Sequence, residues 1–487
     1  MYAAVSRRLE LAATPAALIG AATVTAGLLG GVLIASRGAP GMAFVLGLIY
    51  IPIAMVRLPV ALALWVPLVI LSRMPGVGLG STMAMIVLVM GWLGMLANAG
   101  QERSIYLQGR ATAISLALAI YVWVTLSLLW AVDAGLAAGA LFNWTSAVIT
   151  LVLVATAIVK IDDARLLAAA FIVGMLISVA VGLINPAATA QTAIDLASES
   201  EDGRFAGASG DPNYLAAGIV PALALIAGLL RRGQPLRNLA LGGASLILVF
   251  SLAATQSRGG LLAAAIAMIA AFFLFRGRRP YIVIGVLTMV SLAAIWFSMN
   301  PEGLQRVTQS DKGGTGRTEL WSIGLRMAQD HPVTGVGIEN FVRHSRSYVR
   351  RPGSLEFVTF TEQPYVPHNV YIGLLAELGV VGLGLYLALL AASIAAASKA
   401  ARAFERVGDR YAAALAQGTA VAIIGSAVAS FFISNPTDGR TWILLGLATA
   451  LLAIARRRET GSITLAFQAN RPQYGSGPFS ARSANPE

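Results

Sequence analysis

The chain has 487 residues, of which 57% are apolar and 12% charged, with a formal charge of +12 and a mean hydropathy of +0.74. Soluble domains run at about 45–50% apolar and about 25% charged, so this composition is that of an integral membrane protein. Cysteine is absent, which excludes disulfides, thiol nucleophiles, Fe–S clusters and cysteine-ligated zinc. The basic balance, elsewhere a sign of nucleic-acid binding, sits mostly at the ends of apolar runs, and no nucleic-acid partner is expected.

Apolar runs bounded by charge or by Pro/Gly predict spans near 16–36, 41–56, 58–72, 82–97, 111–130, 144–159, 165–184, 213–230, 238–255, 259–275, 281–298, 368–396, 412–433 and 440–455. A spanning helix needs about 20 apolar residues. The runs amount to 14 spans, or 12 if the short pair flanking Arg57 is a re-entrant hairpin. The expected fold is therefore an all-α polytopic bundle over residues 1–458. The first run has features of a signal peptide, but the many spans after it favour an uncleaved first helix. If the spans alternate, Arg7/Arg8, Lys160/Arg165, Arg231/Arg232/Arg237, Arg276/Arg278/Arg279, Lys399/Arg402/Arg406/Arg410 and Arg456/Arg457/Arg458 fall on one side. The positive-inside rule makes that side cytoplasmic, together with both termini.

Two loops on the other side exceed ordinary connector length. Asn185 to Pro212 holds Glu199, Glu201, Asp202 and Arg204, and ends in the turn-rich Gly207-Ala208-Ser209-Gly210-Asp211-Pro212. The acidic residues lack a metal-ligand spacing and read as a solvated turn, so no metal is expected. Residues 300–367 form the larger loop. Within it Leu320, Ile323 and Met327, then Ile338, Phe341, Val342, Ser345 and Val349, recur at helical spacing and predict two short amphipathic helices. Arg343, Arg346 and Arg350 share the opposite face of the second, so the loop reads as a helical cap on the outer mouth. The stretch Gly313-Gly314-Thr315-Gly316-Arg317-Thr318 lacks the Gly-Lys-Ser/Thr ending of a nucleotide loop. Residues 459–487, rich in Gly, Pro, Ser and Asn, read as a disordered cytoplasmic tail. No internal repeat suggests the halves of a transporter.

Several arginines on the outer side are spaced as if converging: Arg204 before one span, Arg258 at the start of another, Arg317 in the large loop and Arg440 in the last outer turn. Guanidinium forks onto phosphate oxygens and keeps its charge, which suits a diphosphate. Taken singly, each arginine could equally snorkel to headgroups or pair with a loop carboxylate. Asp211-Pro212-Asn213 is an ordinary helix start, but a helix N-terminus at the mouth also offers N–H groups to an anion. Of the three histidines, His331 and His344 read as surface residues, whereas His368, where the polar loop meets the apolar run, is placed to accept a hydroxyl proton. A helix-capping or interfacial role for His368 stays open beside that one. Glu377, within the span, reads as a buried structural pair about two and a half turns below His368.

The ordered set Gly203-Arg204-Phe205, Gly210-Asp211-Pro212-Asn213, Ser257-Arg258-Gly259-Gly260, Gly316-Arg317 with Trp321, His331-Pro332-Val333-Thr334-Gly335-Val336-Gly337, and His368-Asn369 through Glu377-Leu378-Gly379 resembles the O-antigen ligase superfamily over roughly residues 200–385. The resemblance implies a metal-independent, inverting glycosyltransferase of the bacterial inner membrane, acting on the periplasmic face without a cofactor. Its donor would be a polyprenyl-diphosphate-linked glycan and its acceptor a hydroxyl on lipid A core or another glycan, among membrane lipids. By similarity, His368 would be the general base, with Arg204 and Arg258 balancing the diphosphate. Arg317 is a weaker candidate for that work, and Asp211, Asn213, Arg440 and Asn369 would line the substrate site. A repeat-unit polymerase is the alternative within the same chemistry, and a lipid-linked glycan flippase or transporter the alternative outside it.

Overall fold

A computed structural model describes residues 39–100, 103–185, 204–308, 317–349 and 366–469. The first expected span, residues 16–36, lies outside them, as do Glu199, Glu201, Asp202, Gly313 to Gly316, Arg350 and residues 470–487. The described chain is all-α, with seventeen α-helices. In order these are α1 (Ala39–Val56), α2 (Leu58–Ile70), α3 (Val77–Asn98), α4 (Arg103–Leu107), α5 (Ala111–Leu126), α6 (Ala134–Ala157), α7 (Ile161–Ile184), α8 (Pro212–Leu229), α9 (Pro235–Ala254), α10 (Arg258–Leu274), α11 (Arg279–Met299), α12 (Pro301–Thr308), α13 (Arg317–Asp330), α14 (Phe341–Val349), α15 (Val370–Arg406), α16 (Arg410–Ala429) and α17 (Gly439–Ala469).

Ten of these segments are long and apolar enough to cross a membrane. Shorter apolar helices fill three of the expected spans: Leu46–Val56, Leu58–Ile70 and Arg258–Leu274. At about 1.5 Å per residue α2 reaches only about 20 Å, short of a bilayer core of about 30 Å. It follows Arg57, which lies near the Asp163 carboxylate, and gives way to a turn at Leu71. The last helix also runs on to Ala469, so residues 459–469, expected as tail, are helical. Glu459, which accepts from Arg406 Nε at 2.7 Å, ties this extension to the end of α15.

Lipid tails are as apolar as leucine, so membrane helices associate where small residues let backbones approach. The most buried helices follow that rule. In α8 and α16, a side chain at Gly228 would meet the Ala414 carbonyl at 2.9 Å, and one at Gly418 the Ala224 carbonyl at 2.7 Å. Gly174 on α7 likewise admits Pro67 and Ile70 of α2, and Gly446 on α17 admits Val154 of α6. By contrast α11 buries only Trp296, and large apolar side chains such as Ile284, Leu287 and Val290 face outward, as a lipid-facing helix requires.

The basic clusters collect at one end of the bundle. Arg457 donates to the carbonyls of Val159 and Ile105, Arg278 to those of Ala227 and Leu230, and Arg231 lies 4.7 Å from the centre of the Tyr411 ring. At the opposite end, acids, amides and hydroxyls cap helices that start there. Asp133 caps α6, Asp211 caps α8, Ser257 caps α10 and Asn369 caps α15.

The two amphipathic helices expected in the large loop are α13 and α14. Ile323, Met327, Phe341 and Tyr348 join Val336 and Ala376 in a small separate core, while Arg343 and Arg346 are exposed. The turn between α13 and α14 inserts into a break in α15. There Val336 N–H donates to the Ala376 carbonyl and Gly337 N–H to the Glu377 carbonyl, both at 2.9 Å, and Val380 N–H donates to the Pro332 carbonyl at 2.8 Å. The break sits at Gly379, with φ 65° and ψ −168°, where a side chain would collide with the Val333 carbonyl. Glu377 therefore finds backbone rather than a side-chain partner, since the inserted turn brings Phe341 N–H to its Oε1 at 3.1 Å. Gly379→Ala combines left-handed strain with that collision. It is expected to cost at least about 1–3 kcal/mol, read as a lower melting temperature of the purified protein and undocking of α13 and α14 in protease protection.

Candidate active site

Four chain segments meet at the mouth of the bundle. Asp211 ends the turn before α8 and accepts from Asn213 N–H at 2.7 Å and Tyr214 N–H at 3.3 Å, with Pro212 at the first helical position. Asn213, freed from capping its own helix, turns its Oδ1 toward the α9–α10 turn. Ser257 Oγ donates to it at 2.7 Å, and Arg204 Nη2 donates to it at 3.3 Å. Arg204 Nε also donates to the Thr255 carbonyl at 2.8 Å. Arg204, Asn213 and the start of α10 are thus one hydrogen-bonded unit, and exposed Arg258 is the residue after Ser257.

The third segment carries His368. Trp321 of α13 donates its indole N–H to the Pro367 carbonyl at 3.0 Å, and Asn369 caps α15 by accepting from Tyr371 N–H at 3.0 Å and Ile372 N–H at 3.1 Å. Held from both sides, His368 adopts the left-handed backbone, φ 46°, uncommon outside glycine but entered by histidine, asparagine and aspartate more readily than by other residues. The fourth segment, after α16, joins the other two. Val370 N–H donates to the Ser430 carbonyl at 2.9 Å, and Phe432 occupies the space that a side chain at Gly259 would need. Tyr371 packs on Phe431 with ring centres 4.4 Å apart. Hence the His368 turn and the Arg258 turn rest on one short stretch, residues 430–432.

Burial, and then the nearby Arg317 guanidinium, push the His368 imidazole below its ordinary value of 6.5, while the Asp211 carboxylate opposes them. A base held in that way is neutral at neutral pH and free to accept a proton. If His368 is the base, transfer should be flat near pH 7 and fall only on acidification below the ordinary imidazole range. Arg317→Gln should raise the imidazole pKa and move that acid limb to higher pH, whereas Asp211→Asn should lower it and move the limb to lower pH. A pH–rate profile of the three proteins checks both directions, and coincident limbs would remove His368 as the titrating group.

The structure thus brings together His368, Arg317, Asp211, Asn213, Arg204 and the Arg258 turn. Asn369 is engaged in capping, and Arg440 stands in a neighbouring wall. Its Nε is 3.0 Å from both oxygens of Asp438, its Nη2 also donates to Asp438 Oδ2, and its Nη1 donates to the Tyr214 carbonyl at 2.6 Å. Burial works against charge on Asp438, but the Arg440 fork, then Arg73, outweigh it and hold its carboxyl below the usual range. Sequence reasoning missed Arg73, Tyr214 and Asp438. Their only signal was an arginine between two short apolar runs and an Asp two residues before an Arg.

An all-α, many-span bundle with a helical cap and a mouth holding one histidine among arginines defines a class of polytopic membrane protein that gathers its polar chemistry at one face. Residues 243–387 match the family model described as O-antigen ligase, which bears out the resemblance to the O-antigen ligase superfamily. That segment holds Arg258, Arg317, Trp321 and His368, and supports a membrane enzyme of the ligase or polymerase type. No curated protein matches the chain by sequence.

Proposed function

We propose that the protein transfers a glycan from a polyprenyl diphosphate carrier to an acceptor hydroxyl, at the periplasmic face of a bacterial inner membrane. The observation that carries this reading is the convergence of His368, its electrostatic neighbours Arg317 and Asp211, and the Arg204–Asn213–Ser257 unit on one mouth. His368 takes the acceptor hydroxyl proton as the oxygen attacks the anomeric carbon from the face opposite the diphosphate. The new glycosidic bond forms while the bond from the anomeric carbon to the diphosphate oxygen breaks, and the electron pair leaves with the polyprenyl diphosphate. The configuration inverts. Negative charge growing on the departing diphosphate is balanced by Arg258 and Arg204, with Arg317 beside them, and such stabilisation is commonly the largest contribution to a reaction of this kind. Because the donor is already activated, no nucleotide is required for the step.

Offering the purified protein a polyprenyl-diphosphate glycan, with lipid A core, a second carrier-linked glycan or a peptide supplied separately, tests the reading. Glycosylated lipid A core is the product expected of a ligase, and a lengthened carrier-linked glycan is that of a polymerase. Absence of any new glycosidic bond with all three acceptors would contradict the proposal.

A further inference from the structure

Beside the mouth lies a cavity of about 410 Å³, walled by α2, the turn after it, α3, α6, the start of α8 and the turn into α17. Its size falls within the range of about 300–1,000 Å³ usual for small-molecule sites. Trp65 and Phe142 give it aromatic surface, while Thr82, Asn143 and Asn435 give it hydroxyl and amide groups. Two guanidinium groups line it as well. That of Arg440 is closed off by the fork onto Asp438. That of Arg73 stacks 3.7 Å from the centre of the Tyr214 ring, and its buried Nη1 has no hydrogen-bond partner. A buried donor left unmade costs free energy, so an orphaned guanidinium nitrogen in a walled polar cavity invites an anionic oxygen. None of the lining residues falls within 243–387, the segment that matches the ligase family.

We infer that this cavity is a recognition site for a sugar residue bearing a carboxylate, its acid group on Arg73 and its ring hydroxyls on the surrounding hydroxyls and amides. The inference rests on the glycan-transfer reading and deepens it, since the chemistry would reside in the segment shared with the family and the choice of glycan in the walls outside it. A planar guanidinium pairs with carboxylate by two parallel hydrogen bonds, and aromatic and amide groups suit a sugar ring, which is apolar on its faces and polar at its rim. A glycerophosphate headgroup shares the charge but has no ring for Trp65 and Phe142.

Saturation-transfer NMR on the full chain in detergent micelles, with glucuronic acid, glucose and glycerol 3-phosphate offered separately, tests it. Glucuronic acid is expected to receive saturation at its ring protons and to bind about tenfold more weakly to Arg73→Gln, with partial recovery in Arg73→Lys. Arg258→Gln should bind it as the wild type does. Glucose should show no dependence on Arg73, and glycerol 3-phosphate a much smaller one than glucuronic acid. Thr82→Trp, which fills the cavity and leaves the arginines in place, should block glucuronic acid as well and serves if Arg73→Gln does not fold. Absence of glucuronic acid binding to the wild type, equal binding to Arg73→Gln and Thr82→Trp, or loss in Arg258→Gln alone would overturn the inference. So would an Arg73 dependence shared equally by glycerol 3-phosphate, which would point to a lipid headgroup. Because binding is read without transfer, these failures leave the transfer reading standing, and that reading fails separately if no glycosidic product forms.

Discussion

Replacement of His368 by alanine is expected to lower glycan transfer by about 10²–10⁴-fold, the usual contribution of a positioned general base. The protein should remain folded, because the elements around the imidazole are held by other groups. Asn369 caps α15, Trp321 fixes the Pro367 carbonyl, and Val370 N–H is bonded to the Ser430 carbonyl. Alanine does carry a cost at this position, since φ is 46° and the left-handed region costs an ordinary residue about 1–2 kcal/mol. His368→Asn separates the two effects, because asparagine tolerates that backbone and cannot take the proton. Both variants should be equally inactive, with the melting temperature of His368→Asn close to the wild type and that of His368→Ala slightly lower. Wild-type transfer in either would remove His368 from the mechanism and leave it as a structural turn residue.

Arg258→Lys is the second large effect, at about 10²–10³-fold lower kcat/KM. Lysine keeps the charge and loses the planar fork that matches diphosphate oxygens. The turn that carries Arg258 is held by its neighbours. Ser257 Oγ accepts from Gly260 N–H at 3.1 Å, and Gly259 and Gly260 pack against Phe432 and Ala216, contacts that lysine leaves intact. Arg258→Gln should be lower still. Wild-type turnover in Arg258→Lys would mean that the residue meets headgroups rather than the donor.

Hydropathy made most of the bundle legible, because a helix that must satisfy its own backbone in lipid announces itself as a long apolar run. Helical periodicity likewise exposed α13 and α14 in the large loop. Other features were hidden because they depend on distant segments. The run from Tyr371 to Ala397 reads as one continuous helix, yet α15 breaks at Gly379 where the turn between α13 and α14 inserts, and nothing local to the run requires that insertion. Glu377 was legible as a buried group, but its backbone partner at Phe341 was not.

At the mouth, the residue types at His368, Arg204, Arg258 and Arg317 showed in the sequence through their resemblance to a family. How they are held did not: Asn213 receives both Ser257 and Arg204, and residues 430–432 support two turns at once. Arg440 looked like a fourth phosphate ligand by its position in an outer turn. Its fork is instead spent on Asp438, two residues away. The Arg73 cavity was invisible for the same reason, since its walls come from segments as far apart as Trp65 and Arg440.

The most direct measurement reconstitutes the protein in vesicles with a polyprenyl-diphosphate glycan and an acceptor on the same face, without added metal, and counts free polyprenyl diphosphate against glycosylated acceptor. Equal amounts of the two, formed by the wild type and lost in His368→Asn, are the predicted result. Movement of intact donor to the other leaflet, with its glycan still joined to the diphosphate, would contradict it.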